Sequence, residues 1–125
     1  MIALDTSSLV SFLAGEQGRD VEALDLALEQ KQGVLPPVVL ADMLSDPRLP
    51  ASVAKLLLDL PLLPLGEGFW ERAGLLRSRL IRKGRKAHLA DSLIAQVCID
   101  HDVPLITRDA DFGAIARSSS LRLFP

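Results

Sequence analysis

The chain has one cysteine, two histidines and no tyrosine in 125 residues. A single cysteine excludes an internal disulfide framework. Cys98 lies in a helical apolar pattern, where a buried, inert thiol in a reducing cytoplasm is the expectation. A cysteine nucleophile needs a histidine base, and nothing in the sequence pairs one with Cys98. The apolar stretches are broken by Pro, Asp or Lys well before the roughly 18 residues of a membrane span. The N-terminus has neither a basic region nor a cleavage site, so no secretory signal is expected. Repeats, low-complexity tracts and linkers are absent too. What remains is one expected domain over residues 1–125, large enough to bury a core without disulfides or a structural metal. A composition 49% apolar and 24% charged is that of a globular chain.

The net charge of -2 conceals an asymmetry. The segment RSRLIRKGRK, residues 77–86, holds Arg77, Arg79, Arg82, Lys83, Arg85 and Lys86, which leaves the rest of the chain at about -8. Such a run is a candidate phosphate-backbone contact. It could equally be a solvated helix end, where cations complement the helix dipole.

The apolar periodicity alternates between strand and helix. Ile2-Ala3-Leu4 reads as a strand ending at Asp5, with a helix starting at Thr6-Ser7-Ser8 and broken by Gly15 and Gly18. A second amphipathic helix runs from Val21 to about Lys31, and Val34-Leu35 is a brief strand. VVLADML fits either period, but Pro37 in a first turn and Asp46-Pro47 as a stop favour helix. Helices are expected over Ala51–Leu60, Gly68–Lys83, Ala87–Asp100 and Asp111–Ala116. Strands are expected at Leu62–Leu65, Val103–Thr107 and Leu121–Phe124. This rhythm predicts an α/β fold with a parallel sheet covered on both sides.

Four aspartates lie in or at the end of apolar runs: Asp5 in MIALD, Asp42 in VVLADML, Asp91 in HLADSLIAQV and Asp109 in VPLITRD. Burying an unpaired carboxylate costs several kcal/mol, so four such placements suggest that they meet. Ligands in open α/β sheets bind beyond the carboxyl ends of the strands, which is where Asp5 and Asp109 fall. Asp91 sits early in its helix with Ile94, Ala95 and Cys98 on its face; Asp42 has Val38 and Val39 on its own. Clustered carboxylates repel, and Mg²⁺ or Mn²⁺ relieves that repulsion because hard cations prefer oxygen ligands. The chemistry that follows is metal-assisted hydrolysis of a phosphodiester. Each acid also has a plain structural reading: Asp5 and Asp109 as helix caps, Asp91 as a helix-start acid, Asp42 as a surface residue, Asp111 as an N-cap. Ser7 and Thr107, beside Asp5 and Asp109, are expected to orient rather than attack. His88, one turn before Asp91, could serve a metal or a proton, or simply start the helix; His101 closes one.

In these residues the chain resembles a PIN-domain ribonuclease, and in particular the VapC-like toxins of bacterial toxin–antitoxin pairs. IALDTSSLV, VVLADML, HLADSLIAQVC and LITRDADF carry the resemblance, which spans essentially the whole chain; the last motif is the most specific. It implies a three-layer α/β/α fold and Mg²⁺- or Mn²⁺-dependent endonuclease activity on RNA. It also implies inhibition by a small antitoxin, and homodimers are common among such proteins. Matched by motif, the metal-binding acids would be Asp5, Asp42, Asp91 and Asp109. Asp111 would be an auxiliary acid, Ser7 and Thr107 supporting hydroxyls, and Arg79, Arg82, Lys83, Arg85 and Lys86 RNA contacts. One departure stands out: the family usually has Glu where this chain has Asp42, which shortens the reach by one methylene, about 1.5 Å. That departure sustains a second expectation, a degenerate PIN module that binds a protein or RNA partner without cutting. A phosphoacceptor receiver domain, of similar length, is disfavoured because its third strand would end in a phosphorylatable Asp, and here Leu65-Gly66 stands there.

Overall fold

The computed structural model describes residues 1–125. The chain runs in the order β1 (Ile2–Leu4), α1 (Thr6–Leu13), α2 (Arg19–Glu29), β2 (Gly33–Val34), α3 (Pro37–Leu44) and α4 (Ala51–Asp59). It continues through α5 (Phe69–Arg82), α6 (Leu89–Asp100), β3 (Leu105–Ile106) and α7 (Asp111–Arg117). The first strand is central, flanked by the other two in the order β2-β1-β3, and all pairings are parallel. Parallel neighbours require crossovers, and right-handed crossovers running in opposite directions along the sheet, from β1 out to β2 and from β2 back past β1 to β3, place α1–α2 and α3–α6 on opposite faces. The result is the helix–sheet–helix layering expected of an α/β chain.

The expected third and fifth strands shrink to single bridges. Leu35 pairs with Leu62 beyond β2, and Leu105 with Leu123 beyond β3, so the sheet carries two further one-residue edges. Pro61 and Pro64 flank the first of these segments and offer the ladder no donors. The fourth strand likewise contracts from residues 103–107 to Leu105–Ile106.

The helix boundaries follow local chemistry. Pro37 occupies the first turn of α3, where its missing N–H is harmless. At the other end of α5, Gly84 adopts φ +73. Its N–H reaches the Ile81 carbonyl, and the Arg85 N–H reaches that of Leu80. This paired closure needs a left-handed residue, which glycine supplies without strain. The same closure ends α6 at Asp102 (φ 51), sending the chain into β3.

Twenty-five apolar residues form the core. Ala3, Leu4, Leu105 and Ile106 are fully buried in the sheet. In α6 the buried set Ser92, Ile94, Ala95, Gln96, Val97 and Cys98 wraps most of the helix, which fits its place between α5 and α3. Cys98 is buried as expected, and desolvation pushes its thiol up to about 12, which makes it inert. No helix is long and apolar enough to cross a membrane. Leu4 is wholly enclosed at the end of the central strand. Its truncation, Leu4→Ala, is expected to cost about 2–5 kcal/mol of stability, measurable by urea unfolding.

Candidate metal centre

The carboxyl edge of the sheet gathers the acids. Asp5 is the residue after β1, and its N–H donates to the Ile106 carbonyl at 3.0 Å, which ties it to the end of β3. Only 4% exposed, it accepts hydrogen bonds from Ser7 Oγ at 2.8 Å and Thr107 Oγ1 at 2.7 Å. Both fall on Oδ2, leaving Oδ1 free of protein donors. Asp5 holds the N-cap position of α1, yet its side chain makes no capping bond. The carboxylate is therefore held by two hydroxyls 3.2 Å apart, from segments a hundred residues apart in the chain.

Asp91, in the first turn of α6, meets Asp109 and Asp111, with one carboxylate oxygen from each lying within 4.8 Å of the others. Asp109 does some of the capping considered for it, since its Oδ1 accepts the Asp111 N–H at 2.9 Å; its own N–H donates to Thr107 Oγ1 at 3.1 Å. The capping bond and the acid cluster therefore coexist at Asp109. A cleft of about 520 Å³ opens here, lined by Asp5, Ser7, Asp42, Asp91 and Asp109 among others.

A PIN-domain family model matches residues 2–118. The chain belongs to the PIN-domain family. Among solved structures, FitAcB from Neisseria gonorrhoeae is 23% identical with a TM-score of 0.73 over 100% of this chain and 97% of that one. VapBC2 from Rickettsia felis, bound to a DNA fragment from its promoter, is 23% identical with a TM-score of 0.73 over 99% and 98%. VapBC-5 from Mycobacterium tuberculosis, a member of the VapBC toxin-antitoxin family, is 25% identical with a TM-score of 0.67 over 98% and 96%. No curated protein matches the sequence.

Within this PIN domain the expected acids do not stand equally. Asp111, expected only as an auxiliary, is one of the three that converge. Asp42, like Asp5, lies outside those three: exposed despite Val38 and Val39 on its helix, it lines the cleft from the α3 side. The eight-residue α3 buries Val39 and Met43, and that pair turns Asp42 toward solvent. His88 is exposed, and His101 Nε2 lies 2.7 Å from the Pro64 carbonyl, away from the cleft. Of the basic run, Arg79, Arg82, Lys83, Arg85 and Lys86 are exposed, and Lys86 Nζ comes within 4.0 Å of Asp111 Oδ2. Arg77 instead donates to the Ala87 carbonyl at 2.9 Å.

Behind the acids stands a set of residues that sequence reasoning missed. Arg108, between Thr107 and Asp109, forks onto Asp20 with Nε at 2.8 Å and Nη2 at 2.9 Å, and its Nη1 reaches Glu16 at 2.9 Å. The fork holds the Asp20 carboxyl well down, at about 2. The charge alternation in GEQGRD was the only local hint, and it gives no sign of a partner 88 residues on.

Burial first, then the charges of Asp109 and Asp5, pushes the Asp91 carboxyl up to about 6; His88 partly opposes the shift. A folded value above the ordinary 3.8 means that ionised Asp91 weakens the fold above pH 6. That penalty fades as pH falls through about 6 toward 3.8. Asp91→Asn is therefore expected to raise the melting temperature in EDTA at pH 7 by a few degrees. The gain should vanish near pH 4, as paired thermal melts would show.

Proposed function

We propose that this PIN domain is a Mg²⁺- or Mn²⁺-dependent endoribonuclease and the toxin of a toxin–antitoxin pair, acting in the cytoplasm. The observation that carries the reading is the convergence of Asp91, Asp109 and Asp111 within 4.8 Å, beside the oriented carboxylate of Asp5. The donor set fits a hard divalent cation: every donor is a carboxylate oxygen, and burial, with the charges of Asp109 and Asp5, already pushes the Asp91 carboxyl upward. Asp5, Asp91, Asp109 and Asp111 would hold the ion, with Asp42 reaching in from the cleft wall. The chemistry a divalent cation supplies when bound is charge neutralisation at the phosphodiester and acidification of the attacking water.

The chain's own residues do the rest. Ser7 and Thr107 fix the rotation of the Asp5 carboxylate, so its free oxygen needs no reorganisation on binding. Arg79, Arg82, Lys83, Arg85 and Lys86 offset the field of the acidic cleft and give an RNA backbone a path toward it. An apolar groove of about 370 Å³, with Val10, Leu13, Met43 and Val53, shares Thr6 and Asp42 with the cleft. An antitoxin segment laid along that groove would also cover the acids, in keeping with the toxin–antitoxin complexes among the similar structures. Exposed Trp70 and Ile81, on one side of α5, offer a homodimer face.

The exposed Asp42, where the family usually has Glu, favours a second reading: a PIN module that binds RNA or protein without cutting. Incubation with Mn²⁺ and structured RNA separates the two. Cleavage abolished by EDTA, and reduced about 100-fold or more by Asp5→Asn (about 3 kcal/mol of barrier), supports the enzyme; binding without cleavage supports the module. Asp42→Asn is expected to lower the rate by about tenfold or less. Neutralising Lys83 and Arg85 together should weaken RNA binding. It should also flatten the salt dependence by about 0.7 in log–log slope for each phosphate left without its cation, measured by fluorescence anisotropy.

A further inference from the structure

The acids are delivered by two segments far apart in the chain. One carries Asp5 and Ser7; the other carries Thr107, Asp109 and Asp111. Asp20, on α2, is bonded to both. Its carboxylate accepts Ser8 Oγ at 2.7 Å, and Ser8 is the fully buried neighbour of Ser7. The same carboxylate accepts the Arg108 fork at 2.8 and 2.9 Å, and Arg108 stands between Thr107 and Asp109. Arg108 is further held by Glu16 at 2.9 Å and the Gln17 carbonyl at 3.2 Å, while its backbone N–H donates to Ser7 Oγ at 3.2 Å.

We propose that Asp20 and Arg108 are positioning residues for the metal centre, a brace that sets the separation of its two ligand-bearing segments. The proposal rests on the metal-centre reading above. A planar guanidinium forked on a carboxylate fixes both distance and orientation, which a single contact cannot do. The brace is also closely fitted. Gly18 has φ +154, and a Cβ there would lie 2.6 Å from Asp20 Oδ1 and 2.8 Å from Arg108 Nη2. The Asp20 side chain is only 13% exposed, so this pair is less screened than an ordinary surface ion pair. Glu16 and Asp20 together take up the Arg108 charge, so Arg108 acts on the acid cluster through geometry.

The molecule contains its own control. Arg72 forks onto Asp100 at 3.0 and 2.7 Å, joining α5 to the far end of α6, away from Asp91 in its first turn. Mn²⁺ affinity should be titrated by calorimetry for the intact chain and for Asp20→Asn, Arg108→Gln, the double variant, Gly18→Ala and Arg72→Gln. Melting in EDTA is recorded alongside, with titrations well below each melting temperature. We expect Asp20→Asn and Arg108→Gln each to weaken Mn²⁺ binding by about tenfold or more, with the double variant little worse than either. Gly18→Ala, which changes no charge, should weaken it in the same direction. Arg72→Gln should lower the melting temperature and leave Mn²⁺ affinity unchanged. If Arg108→Gln does not fold, Arg108→Lys replaces it, with a partial loss expected. Brace variants that bind Mn²⁺ as tightly as the parent overturn the proposal. A parent chain that binds no Mn²⁺ overturns the metal-centre reading itself, and the brace with it.

Discussion

Carboxylates held within 4.8 Å of one another repel, and the folded chain must supply the work of bringing Asp91, Asp109 and Asp111 together. The Asp91 carboxyl, pushed up to about 6, carries burial as the larger cause and the charges of its neighbours as the smaller. The surroundings are organised to sustain it. The central strand is packed on both faces and carries Asp5 to the carboxyl edge, where two hydroxyls hold its side chain. In α6, buried along most of its surface, Asp91 cannot swing away without disturbing a large part of the core. Such an arrangement weakens the apo fold and favours a cation, the trade-off seen where function and stability pull apart.

Polar support is distributed accordingly. Ser7, Ser8, Asp20, Thr107 and Arg108 form a connected set in which almost every buried polar atom has a partner. Thr6 Oγ1, at the junction of the cleft and the apolar groove, is the buried side-chain atom without one. Arg72, Arg77 and Arg108 are tied to acids or carbonyls, whereas Arg79, Arg82, Lys83, Arg85 and Lys86 are exposed, with Lys86 nearest the acids, 4.0 Å from Asp111.

What the sequence determined by itself was whatever depends on neighbours close in the chain. The apolar periodicity marked α5 and α6; Pro37 and Gly84 marked helix ends; Asp5 at a strand end and Asp91 in a first turn were legible because position along one element fixes direction. The motif pattern around Asp5, Asp91 and Asp109 was enough to identify the family. Only the tertiary structure decided the rest. Whether residues 62 and 123 form strands or single bridges depends on edge pairing between distant segments. Asp42 lies outside the cluster because the packing of α3 through Val39 and Met43 sets its rotation. Asp111 lies inside because the β3–α7 turn folds back on α6. The bond from Arg108 to Asp20 spans 88 residues, and no local pattern encodes it. Long-range register comes from the summed packing of the whole core, so the sequence named the acids and the fold chose which of them meet.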